Sequence, residues 1–135
     1  MPGTAQAGAI AALNGLTGVG VPAVPTYIAL LTADPTGLTT IAALSEVTTS
    51  GYSRQSVSWG SPTMAYPSVI ANSNLLTFGP MSANMSLPAQ WAALVTSSSG
   101  TSGSLLYTWI LENPQQVLAT EDINIAAGAL TITES

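Results

Sequence analysis

From residue 26 onward, apolar and polar positions fall into short runs broken by Gly, Pro, Asn and Ser. Within several runs the side chains alternate with period two. That is the punctuation of an all-β chain. Thr26 to Thr32 (TYIALLT) reads as a strand, with Tyr27, Ala29 and Leu31 on one face and Ile28 and Leu30 on the other. A strand apolar on both faces is expected to be central or to lie at an interface. Asp34-Pro35, followed by Gly37, ends it in a turn.

Residues 41–48 fit a short helix or a strand equally. After the Ser50-Gly51 turn, Ser53, Gln55, Val57 and Trp59 alternate against Arg54, Ser56 and Ser58. Gly60, Pro62 and Pro67 predict an irregular stretch. Leu75 to Phe78 and Trp91 to Thr96 read as further strands. SSSGTSGS, residues 97–104, reads as a polar hairpin loop. Leu105 to Leu111 (LLYTWIL) gives the strongest strand signal in the chain. Both its faces are mostly apolar, so a central position is expected.

Val117 to Thr120 is a candidate short strand, and Ile123 and Ile125 share a face beside Asn124. After the Ala127-Gly128 turn, Ala129 to Thr133 forms a last strand with Leu130 and Ile132 facing inward. Seven or eight short antiparallel strands, spaced by about 8 to 15 residues, predict a single β-sandwich or a partly open barrel. This domain spans residues 26–135.

Residues 1–25 differ. They are rich in Ala and Gly and carry no charge. Ala5 to Leu13 suits a short helix stopped by Asn14-Gly15, and Pro22 and Pro25 favour extended backbone before them. The segment is read as an extended N-terminal arm that orders against a neighbouring subunit, or equally as a tail covering its own domain. It lacks a basic stretch ahead of its apolar residues, so a signal peptide is not expected.

Composition sharpens the functional reading. The 135 residues include no Cys, His or Lys, and seven charged side chains: Arg54, Asp34, Glu46, Glu112, Glu121, Asp122 and Glu134. Nucleophiles, general bases and metal ligands are drawn mostly from the missing groups. An enzyme is therefore not expected, nor a cofactor. A net charge of −5 with one cation excludes nucleic acid as a partner, since several cationic contacts to phosphate are needed. Anionic membranes are disfavoured for the same reason. A charge-poor surface costs little to bury against protein, which favours assembly into a homo-oligomer over a Ser/Thr-coated monomer.

Three groups of residues invite a chemical role. Glu121 and Asp122 are adjacent; in a strand they point to opposite faces, and in a turn they are solvated or hold a calcium ion. Arg54 is expected to pair with Glu46 across the Ser50-Gly51 turn, or with another subunit. Trp59, Trp91 and Trp109 suit packing first and a sugar platform second. The candidate interface residues are Tyr27, Ile28, Leu30, Arg54, Trp59, Trp91 and Trp109.

The segments TYIALLTADPTG, SGYSRQSVSWGSP, ANSNLLTFGP, WAALVTSSSGTSGSLLYTWIL and INIAAGALTITES form an ordered series over residues 26–135. The series resembles small virion structural proteins of tailed bacteriophages. Their motifs run Tyr-hydrophobic-Ala-Leu-Leu/Phe-Thr-Ala-Asp-Pro, then Gly-Tyr-x-Arg-Gln, Leu-Thr-Phe, a Gly-containing hairpin and a closing Ala-Gly-Ala-Leu-Thr-Ile-Thr. Two positions depart from that pattern. An acid usual before the hairpin turn is missing at Leu94 to Ser97, and Glu121-Asp122-Ile123 replaces the usual Gly-Asp-Thr-Leu. The resemblance implies a non-enzymatic β-sandwich in the virion. Its expected role is capsid decoration, binding the major capsid protein at the capsid surface. The alternative is a tail-tube or fibre-associated subunit among tail proteins, and a carbohydrate-binding adsorption module ranks third.

Overall fold

The computed structural model describes residues 25–60 and 68–134. The arm expected over residues 1–25 thus lies, but for Pro25, outside the described residues. The fold is all-β. Eight strands are present among the described residues: β1 (Tyr27–Leu31), β2 (Gln55–Ser56), β3 (Ser68–Ala71), β4 (Leu76–Phe78), β5 (Ala89–Val95), β6 (Leu105–Gln115), β7 (Ile123–Ile125) and β8 (Thr131–Glu134). Every pairing is antiparallel, and no sheet closes into a barrel. This is the class the alternation predicts.

The strands belong to two compact units. One contains residues 25–56 and 76–125, with a four-stranded sheet in the order β2-β1-β5-β6 and the pair β4-β7. In its sheet β1 is interior, and Ile28 to Leu31 are at most 1% exposed, as a strand apolar on both faces requires. One face packs Ala29, Leu31, Ala93 and Val95 under Ile41, which a single 3-10 turn at Ile41–Ala43 delivers. Between β4 and β7, Leu76 faces Ile125 and Phe78 faces Ile123, all four buried. Their outward neighbours Thr77 and Asn124 hydrogen-bond at 2.7 Å. The Asp34 turn forms as expected: its Oδ1 accepts the Thr36 amide at 2.9 Å and hydroxyl at 2.6 Å. Those bonds hold the Asp34 carboxyl below its usual range.

The other unit contains residues 57–60, 68–75 and 126–134, joined by β3 and β8. Ile70 pairs with Ile132, and Leu130 and Ile132 are buried as expected. Asn72 organises the rest. It is 2% exposed and makes no contact with solvent to speak of. Its Nδ2 donates to the carbonyls of Asn74 and Ala126, both at 3.0 Å, and its Oδ1 accepts the Leu130 amide at 2.9 Å. Its own amide reaches Leu130 O at 3.1 Å, and its carbonyl accepts the Gly128 amide at 2.7 Å.

The structure departs from the sequence reading at four places. β6 is an edge strand, not a central one. It also runs on through Glu112 to Gln115, and Pro114 inside it is tolerated because an edge need not donate every amide. β3 occupies a stretch read as irregular. The strand expected over 53–59 shrinks to Gln55–Ser56, with Trp59 bridged separately to Asn72. Residues 117–120 form no strand: the chain turns at 119–120, and Thr120 takes φ 74° while its amide bonds Met81 O at 2.7 Å.

Candidate functional site

The polar cluster of the larger unit is centred on Arg54. The Ser50-Gly51 turn folds the chain so that Glu46, Tyr52 and Arg54 meet. Glu46 is anchored by a bridge from its backbone to Leu31 on β1. Arg54 approaches it in a fork, Nε to Oε2 at 2.9 Å and Nη2 to Oε1 at 2.8 Å. This is the local pair the sequence predicts. The Tyr52 hydroxyl donates to Glu46 Oε2 at 2.5 Å and accepts the Leu30 amide at 2.9 Å. Its ring stacks on Phe78 of β4 at 6.2 Å, which ties the β4-β7 pair to the sheet. Burial, and then the bond to Glu46, push the Tyr52 phenol well above its ordinary value, so it stays protonated.

The remaining Arg54 donors go to the hairpin loop. Nη1 bonds both the carbonyl and the hydroxyl of Ser97 at 3.0 Å, and Nη2 bonds Gly100 O at 2.7 Å. All five N–H groups of the guanidinium are thereby used within the chain. The bonds to Glu46 hold Arg54 above its usual value. A cleft of about 210 Å³ runs alongside, lined by Tyr52, Ser53 and Ser98 to Gly100. With no unused donor and a phenol locked as an acceptor-donor relay, the cluster is a clasp between three chain segments. Its geometry offers no activated nucleophile.

Arg54→Lys tests that role. Lysine keeps the charge but offers three donors from one point, so the fork and the loop bonds cannot coexist. The expected cost is about 1–2 kcal/mol in chemical unfolding, with faster proteolysis within residues 97–104. Unchanged values in both would show that the loop is held by other means.

The other candidate residues are dispersed. Ile28 and Leu30 are fully buried, Tyr27 and Trp91 pack half-buried against the apolar cluster, and Trp59 is buried beside Asn72. Trp109 on β6 lies against Tyr107, ring centres 4.9 Å apart. Glu121 belongs to a turn: its carboxylate accepts the Leu118 amide at 2.8 Å, and its carbonyl accepts the Met81 amide at 2.8 Å. Among the described residues no three acidic, His or Cys side chains gather around a common point.

Three of the exposed apolar residues that sequence reasoning passed over lie on β6. Leu106 is 44% exposed, Tyr107 39% and Ile110 75%. Apolarity on both faces was read as burial. Pro114 and Glu112 were the available signal for an edge.

A search of curated proteins and one of solved structures returned no match. A family model does match, that of the podophage GP4 fiber I protein gp80, over residues 5–133. Nearly the whole chain is covered, so the protein belongs to the podophage GP4 fiber I protein gp80 family, a family of phage virion structural proteins.

Proposed function

We propose that this chain is a non-enzymatic structural component of a phage fibre or of the tail to which a fibre attaches. The observation that carries the reading is the family match over residues 5–133 to a protein described as a fibre component. It favours the tail and fibre alternative over capsid decoration. The composition supports the same reading, because the single cation is consumed by an internal clasp and the acids are spread over turns and strand ends. The partners are other tail or fibre proteins and further copies of this chain. Such a subunit contributes by mass action: binding to the assembled state alone stabilises that state.

Fractionation of purified particles tests the location. Quantitative mass spectrometry on separated heads and tails is expected to find the chain enriched with tails and fibres. Comparable copy numbers in tail-less heads would overturn this reading and restore the capsid surface.

A further inference from the structure

We infer that residues 105–111 of β6 form a self-association interface, pairing antiparallel with β6 of a second copy of this chain. In the four-stranded sheet, β6 pairs with β5 on one side, and no strand among the described residues lies on the other. An edge of this kind is a template for another chain unless it is guarded by charge, proline or a cover. β6 guards one end only. Glu112 and Pro114 sit in its last four residues, whereas Leu105 to Leu111 carry neither. That stretch exposes Leu106, Tyr107 and Ile110. Leu38 extends the apolar surface, lining with Leu105, Leu106 and Tyr107 a groove of about 270 Å³. A strand with the composition of a sheet interior is thus left at a sheet edge.

Charge selects the occupant. The 57 residues from Gln55 to Leu111 contain no charged side chain. An incoming strand with charges along its length would bury them without partners. The chain itself supplies an uncharged complement in the same strand. Antiparallel pairing about a two-fold axis at Thr108 sets Leu106 opposite Ile110 and Tyr107 opposite Trp109, matching apolar to apolar across the new seam. It also sets Glu112 opposite Ser104, so the two acids lie at opposite ends. A parallel in-register arrangement would instead stack Glu112 on Glu112.

The proposal rests on the reading of the chain as an assembly unit, but its test is made in solution and does not depend on particle location. The full chain is expected to sediment as a reversible dimer, or as a larger species built from dimers. Ile110→Lys, at a position already largely exposed, should raise the dissociation constant at least tenfold, while Leu118→Lys leaves it unchanged. The natural sequence has no cysteine, so single cysteines report register directly. Under mild oxidation Thr108→Cys should give a covalent dimer. Glu112→Cys should not, since the two copies of that position lie about 27 Å apart along the strands. A chain that stays monomeric at all concentrations overturns the proposal, whatever the particle fractions show. So does assembly that Ile110→Lys leaves intact, or assembly lost only on removal of residues 1–24, which would assign the contact to that segment.

Discussion

Asn72→Ala is expected to cost about 3 kcal/mol, a large share of the stability of the smaller unit. The side chain satisfies three backbone groups at once: the carbonyls of Asn74 and Ala126 and the amide of Leu130. Truncation leaves the buried Leu130 amide without its acceptor and removes one donor each from the carbonyls of Asn74 and Ala126, the latter still accepting the Ala129 amide at 3.1 Å. An orphaned buried group costs about 1–3 kcal/mol. The Leu130 amide sets most of the expected value, and the two weakened carbonyls add the rest. Asn72→Asp is the informative control. It keeps the oxygen that accepts from Leu130 but replaces the doubly donating nitrogen by a second oxygen aimed at two carbonyls. It should therefore rescue little. Urea unfolding followed by circular dichroism reads both variants. A loss below about 1 kcal/mol for alanine would mean that the Leu130 amide finds another acceptor.

Gly51→Ala should be nearly as damaging, for a steric reason. Gly51 has φ +94°, and a Cβ there would lie 2.5 Å from Pro80 O and 2.8 Å from Ser82 N. The positive φ alone costs an ordinary residue about 1–2 kcal/mol. The collision is with backbone, so relief requires moving the strand-flanking segment whose Ser82 amide bonds Ser50 O at 2.7 Å. Together these give about 3 kcal/mol. Gly37 separates the two contributions, because its φ is +82° and nothing lies within 4 Å of its would-be Cβ. Gly37→Ala should show the conformational cost alone, about 1 kcal/mol. Equal losses at both sites would show that the approach to Pro80 is not tight.

Much of the fold was legible because local pattern and burial agree. The TYIALLT run becomes an interior strand, and Ile123 and Ile125 bury one face while Asn124 points out. The Glu46–Arg54 pair was legible because the Ser50-Gly51 turn lies between two opposite charges eight residues apart. What was hidden depends on distant backbone. β3 follows a Pro-rich stretch, and its pairing partner is 60 or more residues away. Asn72 carries no sequence signal of its role, since its partners are main-chain groups up to 58 residues distant that no side-chain pattern announces. The Arg54 bonds to Ser97 and Gly100 escaped for the same reason. β6 was misplaced because apolarity on both faces marks contact with protein, without saying whose.

The pairing of β3 with β8 also sets an order of events at the ribosome. Ser68 and Glu134 are 66 positions apart, so at about 5–20 residues per second β3 is exposed for several seconds before its partner exists. Over the same interval β5 and β6, joined by one short loop, are synthesised consecutively and can close first. The smaller unit is therefore the late step of maturation. A nascent chain interrupted between residues 115 and 131 would display a formed hairpin beside an unpaired β3, a species suited to capture by chaperones.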